Sequence, residues 1–338
     1  MIDDDQTMST PDQLDVLTIH HPLYFDGKGG EYFRIWIVNV LLSIITLGIY
    51  SAWATVRTRR YFYANLKLAG EGFEYHAEPM QILKGRIIAL IAFTLYSVSS
   101  ALSPLLGGIA AILLIFAIPP LILLSLRFSR RNTSYKNIRF NFQGDWKEAY
   151  MSILVWPLLS LLTLGLLFPL AQVKLKRFII NNSRYGTENF VFTGTYSDYG
   201  KLLLLYIAIY VAAILQLALS LTVGASFVGT TVFILLIYGG FFFIQPKYMN
   251  LMYRRTTLRA HSFESTYTGI GFNILFIVFT LGLFLPFAKV RLTKYLTENV
   301  TLKVKGSLDD FTAGEAEKVS ALGQEVGTAF DFDLGIGI

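Results

Sequence analysis

The sequence predicts an all-α polytopic membrane protein, built from internal repeats of about 117 residues (two full, one partial) with small cytoplasmic β-elements. Three observations carry that expectation. Hydrophobic residues make up 54% of the 338 positions and charged residues only 15%, where a soluble domain carries about 25% charged. Five stretches hold no Lys, Arg, Asp or Glu, namely 35–56, 87–126, 149–173, 202–246 and 265–288. A spanning helix needs about 20 apolar residues, so the second and fourth stretches have room for two crossings each. The third observation is the tripeptide Thr-Leu-Gly, which recurs at Thr46, Thr163 and Thr280, each 117 residues after the last.

The repeat register divides the chain. Residues 1–32 form a cytoplasmic N-terminal segment, 33–148 the first membrane repeat and 149–265 the second. Residues 266–306 make a partial third repeat, and 307–338 an acidic C-terminal tail. The acidic start, Met1-Ile2-Asp3-Asp4-Asp5, does not read as a secretory signal. Around each Thr-Leu-Gly stand short alternating stretches, such as Ile138-Arg139-Phe140-Asn141-Phe142 and Phe190-Val191-Phe192, whose period of two predicts strands outside the membrane. The tail sets seven acidic residues against the single basic Lys318.

Charge distribution bears on topology. The tips of the two double spans, near 104–108 and 223–226, carry no basic residue. If each Thr-Leu-Gly segment enters and leaves on one side, turning at Gly48, Gly165 and Gly282, all 29 basic residues face the cytoplasm, as the positive-inside rule favours. Against that, 22 residues at 1.5 Å each span about 33 Å, enough for a single crossing. Both arrangements fit the sequence, the re-entrant one better, with both termini cytoplasmic.

The chemistry available is sparse. With no cysteine there is no disulfide, thiol nucleophile or Cys-based metal site. The four histidines, His20, His21, His76 and His261, lack metal spacing, so no metal, cofactor or catalytic residue is expected and nothing points to an enzyme. The positive charge is read as membrane flanking, without nucleic acid as a partner. No acidic or basic residue lies within an apolar stretch, which argues against proton coupling. Asn39, Asn273 and Gln216 are candidates for an intramembrane polar site, or else hydrogen-bond glue between helices. Arg57 with Arg60, Lys174 with Arg177, and Arg291 with Lys294 each share a helix face beside an aromatic residue. They are candidate contacts to anionic lipid head groups, or simple cytoplasmic anchors.

A further set of residues carries a family resemblance. Phe25-x-Gly27, Glu31-Tyr32-Phe33, Asn39, Thr46-Leu47-Gly48-Ile49-Tyr50, Trp53-Ala54 and Arg59-Arg60-Tyr61-Phe62-Tyr63-Ala64-Asn65 together resemble the YjgN-like bacterial inner-membrane proteins. Gly306-x-Leu308-Asp309-Asp310 is similar to their C-terminal end. The later repeats depart from the pattern, with Leu170 and Phe287 in place of Trp53. The resemblance implies a bacterial inner-membrane location and no assigned activity. Permeation or lipid handling without proton coupling is the function expected, with membrane lipids and a second copy of the chain as partners. The alternative is a non-transporting scaffold that binds a cytoplasmic partner.

Overall fold

The structure, a computed structural model, describes residues 18–268 and 283–305. Its organising element is one antiparallel sheet of eleven strands, which overturns the expectation of an all-α protein carrying small separate β-elements. The strands are β1 (Thr18–Pro22), β2 (Tyr24–Phe25), β3 (Leu66–Leu68), β4 (Glu71–Tyr75), β5 (Thr133–Tyr135) and β6 (Ile138–Phe142), followed by β7 (Ser183–Tyr185), β8 (Glu188–Phe192), β9 (Thr256–Leu258), β10 (His261–Ser265) and β11 (Val300–Lys305). They are ordered β1-β11-β10-β9-β8-β7-β6-β5-β4-β3-β2. β1 and β2 are one segment interrupted at Leu23, whose N–H donates to the Val300 carbonyl (3.0 Å). The two ends of the sheet therefore meet, and the strands form a nearly closed ring. Strands of two to six residues give little periodic signal alone; pairing around a ring supplies their stability and removes free edges.

Helical limbs leave and rejoin this ring on neighbouring strands. Between β2 and β3 lie α1 (Gly29–Ile45) and α2 (Ser51–Asn65). Between β4 and β5 lie α3 (Pro79–Leu102) and α4 (Pro104–Arg131). Between β6 and β7 lies α5 (Trp146–Tyr150), which passes through a π-helical turn (Met151–Val155) into α6 (Trp156–Leu162), followed by α7 (Phe168–Asn181). Between β8 and β9 stand α8 (Tyr196–Thr222) and α9 (Ser226–Arg254), and α10 (Leu285–Glu298) leads into β11. In each of the four complete limbs the flanking strands are hydrogen-bonded neighbours, so start and finish lie together. Within the described residues, α3, α4, α8 and α9 are long and apolar enough to cross a membrane.

The same local chemistry joins limb to ring at each step. Asn65, Asn132, Asn182 and Asn299 end their helices by donating Nδ2 to the carbonyl four residues back, at 2.8–2.9 Å. These bonds satisfy carbonyls that a helix end would otherwise leave bare. A second tie spans 17 residues. Arg60 donates to the Ala77 carbonyl (3.3 Å), Arg127 to Gly144 (2.7 Å), Arg177 to Gly194 (3.1 Å) and Asn250 to Tyr267 (2.8 Å). Phe25, Phe142 and Phe192 fold their rings over Gly27, Gly144 and Gly194, where an added Cβ would come within 2.5 Å of the ring.

The inner face of the ring is packed. Leu68 and Phe73, Tyr135 and Phe140, Leu258 and Phe263, and Leu23 and Leu302 are buried in one cluster, with Tyr185 and the partly buried Phe190. Ring centroids of Phe73 and Tyr135 lie 4.8 Å apart, those of Phe140 and Tyr185 5.0 Å. The Tyr135 hydroxyl donates to the Leu68 carbonyl (2.7 Å) and Tyr185 to the Tyr135 carbonyl (3.0 Å), so each of these two phenols is satisfied by the next strand but one.

Candidate functional site

The Thr-Leu-Gly turns are built to need nothing from their surroundings. Thr46 Oγ1 donates to the Leu42 carbonyl (2.7 Å) and accepts from the Tyr50 N–H (2.9 Å). Thr163 Oγ1 repeats this with the Leu159 carbonyl (2.9 Å) and the Leu167 N–H (3.2 Å). Gly48 and Gly165 have φ of 92° and 87°, and their N–H groups reach the Ser43 and Ser160 carbonyls, each at 2.7 Å. Left-handed backbone at a helix end is the glycine's ordinary task. Leu47 and Leu164, also at positive φ, stand 95% and 98% exposed at the tips. A turn with its polar groups closed internally and leucine outward suits hydrocarbon, where unsatisfied backbone is costly. Gly282 lies outside the described residues.

Between α1, α2, α4 and α10, against the ring at Leu23, Leu66 and Val300, lies a cavity of about 850 Å³. Its size is at the upper end of that of small-molecule sites. Trp36, Val40, Phe62, Leu292 and Leu296 give it apolar walls, while Ser43, Thr55, Thr58, Ser129, Thr293 and Thr297 contribute hydroxyls. Three cations face it, Arg59, Arg130 and Lys289, and no carboxylate stands among the described lining residues. Arg59 donates to the Tyr75 hydroxyl (2.8 Å), and the Lys289 ammonium sits 5.0 Å from the centre of the Phe62 ring.

The candidates from the sequence fall in different places. Asn39 is 4% exposed and lines the cavity; its Nδ2 donates to the Ala54 carbonyl (3.4 Å). Its Oδ1 is buried and accepts no hydrogen bond among the described residues. Gln216 is on α8, donating to Ser220 Oγ (2.9 Å), and does not line the cavity. Asn273 lies outside the described residues. Arg57, Arg60, Arg177, Arg291 and Lys294 are exposed, with Arg60 and Arg177 engaged as the ties described above. Lys294 reaches Glu298 (3.6 Å), and the Lys174 ammonium lies 5.6 Å from the Trp156 ring centre.

The cavity cations escaped the sequence reading. Arg59 sits between Arg57 and Arg60, and only its helical spacing to buried Val56 and half-buried Tyr63 marks it as inward-facing. Its counterpart 117 residues later, Lys176, is partly buried, and desolvation pushes its ammonium below the usual lysine range.

A sheet ring from which apolar helical hairpins and shorter turned-back arms rise, all leaving and returning together, defines a membrane protein. The chain belongs to the DUF898 family, described as bacterial proteins of unknown function, whose pattern matches residues 20–329. It is similar to the inner membrane protein YjgN of Salmonella typhimurium, 38% identical over 149 residues, or 43% of this chain and 37% of that protein. The YjgN proteins of Escherichia coli K12 and O157:H7 match at 33% and 32% identity over 149 residues, 44% of this chain and 37% of each relative. The match thus spans little more than a third of the curated relatives' length. No solved structure matches the chain.

Proposed function

We propose that this protein handles lipid in the bacterial inner membrane by receiving an anionic amphiphile from the bilayer into the cavity between α1, α2, α4 and α10. The observation that carries the reading is the combination of apolar walls with Arg59, Arg130 and Lys289 and no described carboxylate. Such a site attracts negative charge and shelters the first methylenes of a chain. In this reading α3/α4 and α8/α9 cross the bilayer, the arms enter partway, and the sheet ring stands in the cytoplasm beside anionic head groups. The exposed bases Arg57 and Arg291, with the half-buried Lys174, would hold the surface, each contributing about 1 kcal/mol.

Permeation along the ring axis is disfavoured by the packed interior around Phe140. The scaffold alternative draws less support from a ring that leaves few strand edges for a partner to extend. The test is lipid analysis of the intact protein excised from its native membrane in polymer-bounded discs. Anionic phospholipid should be enriched over the bulk bilayer, and Lys289→Gln should reduce the enrichment. A lipid complement equal to bulk membrane in the wild type would remove the reading.

A further inference from the structure

The ring closes through β2, and this leaves one stretch of sheet edge open. β1 stands at the end of the strand order beside β11, and only past Leu23 does its segment pair with β3. The Leu23 N–H points to β11, and the Asp26 N–H points the other way, to the Asn65 carbonyl. Backbone groups alternate in direction along an antiparallel strand. Ile19 and His21 therefore direct theirs to β11. The N–H and C=O of His20 and the C=O of Pro22 face outward, with no strand beside them among the described residues.

The two faces of this edge differ in chemistry. Ile19 and His21 lie opposite Val304 and Leu302, which are buried in the inner cluster. Ile19 itself is 50% exposed, because the neighbour that would cover its outer side is missing. On the outer face His20 lies opposite Lys303 and Thr18 opposite Lys305. Lys303 also pairs with Glu264 (2.9 Å), and Lys305 is exposed. A strand that fits here carries apolar residues on one face and acidic residues on the other.

We propose that the edge is a docking site for this chain's own C-terminal segment, residues 330–338, which lies outside the described residues. Its sequence sets Phe330, Phe332, Leu334, Ile336 and Ile338 at every second position, with Asp331 and Asp333 between the first three. Added beside β1, the segment brings its phenylalanines to Ile19 and its two carboxylates to His20 and the β11 lysines, since cross-strand neighbours share a face. Residues 306–329 join it to the end of β11. Extended, that tether reaches about 80 Å, and the edge lies only about 10 Å from β11. It holds the segment near the edge at an effective concentration on the order of mM. A free partner lacks that advantage, and Pro22, with no N–H, leaves it few main-chain bonds to make. The docked segment completes the sheet wall and closes the edge to other chains.

The natural chain has no cysteine, so paired cysteines report the docking in the full-length protein in detergent. Under mild oxidation, Ile19→Cys should cross-link to cysteines at 330, 332 or 334 several-fold better than at 331 or 333. His20→Cys should show the reverse preference, because Cβ vectors that point apart cannot be bridged. A yield without this alternation, or no cross-link at all, overturns the docking. Cross-links found only between two chains give the edge to a second copy and overturn it as well. With the cysteines at Ile19 and Phe332 kept, Asp331→Asn with Asp333→Asn should lower the yield, and an unchanged yield overturns the charge match that selects this segment. A second measurement needs no cysteine. Deleting residues 330–338 should speed amide hydrogen exchange at His20 about three- to tenfold, the range one neutral hydrogen bond supplies. An unchanged rate means that nothing was docked there.

Discussion

The two kinds of limb share a base and differ above it. The short arms, α1/α2 and α5–α7, and the long hairpins, α3/α4 and α8/α9, spring from equivalent strand pairs and return to the ring under similar ties. The arm helix α1, with 17 residues, rises about 25 Å, whereas α3, with 24, rises about 36 Å. Against a hydrocarbon core of about 30 Å, only the second kind is long enough to cross upright. The tips differ in kind as well. The long hairpins turn at Ser103 and at Val223–Ala225, where Ser103 Oγ accepts from the Leu105 N–H (3.2 Å). The arms turn through a threonine that serves both helices, with a bare leucine at the apex. One ring-to-limb joint therefore carries limbs of two lengths, each with its own tip chemistry.

The sharpest way to break this contrast is accessibility, because the natural chain has no cysteine. Single cysteines at Leu47 and Leu164 should resist membrane-impermeant maleimide from either side of the bilayer. Ser103→Cys should label from the periplasm, and Thr187→Cys, in the β7–β8 turn, from the cytoplasm. Arm tips that label from the periplasm would make the arms full crossings and end the distinction.

The next largest effect concerns the ring that both limbs share. Phe140 is buried in its centre, and Phe140→Ala should cost about 3–5 kcal/mol, seen as a large loss of thermal stability in detergent. If the ring supports both limb types, protease sensitivity should then rise in the arms and long hairpins together.

A smaller effect separates joint from limb. Gly144 precedes a short arm and Gly194 a long hairpin, and in each an added Cβ meets the phenylalanine two residues earlier. Gly144→Ala and Gly194→Ala should each lower stability by about 1–3 kcal/mol. Gly108, inside α4 with nothing within 4 Å, should tolerate alanine with a change below about 1 kcal/mol, in the stabilising direction. Unequal penalties at Gly144 and Gly194 in thermal denaturation would mean that the joints are not equivalent.

The smallest effect compares the arms with each other. Arg59 faces the cavity, while Lys176 in the corresponding position is partly buried away from it. A lysine whose folded pKa is depressed binds its proton less well folded than unfolded. Its burden on stability is greatest below the folded pKa and fades as pH rises toward the unfolded value. Lys176→Met should therefore be neutral or slightly stabilising at pH 7, and its advantage in melting temperature should shrink by pH 10. A large destabilisation at pH 7 would mean the ammonium has a partner that its surroundings need.

The apolar stretches, the 117-residue recurrence of Thr-Leu-Gly and the family resemblance were all legible in the sequence, because each rests on composition or local spacing. So was Asn39 as a polar group among apolar residues. The ring was not. Strands such as Ser183–Tyr185 are too short to show a period, and their stability comes from partners far along the chain, Val300 with Leu23 closing the circle. Sequence alone also could not set Arg130 beside Arg59 and Lys289. They stand 71 and 230 residues from Arg59 along the chain, and only the return of every limb to one ring brings α2, α4 and α10 around a single cavity.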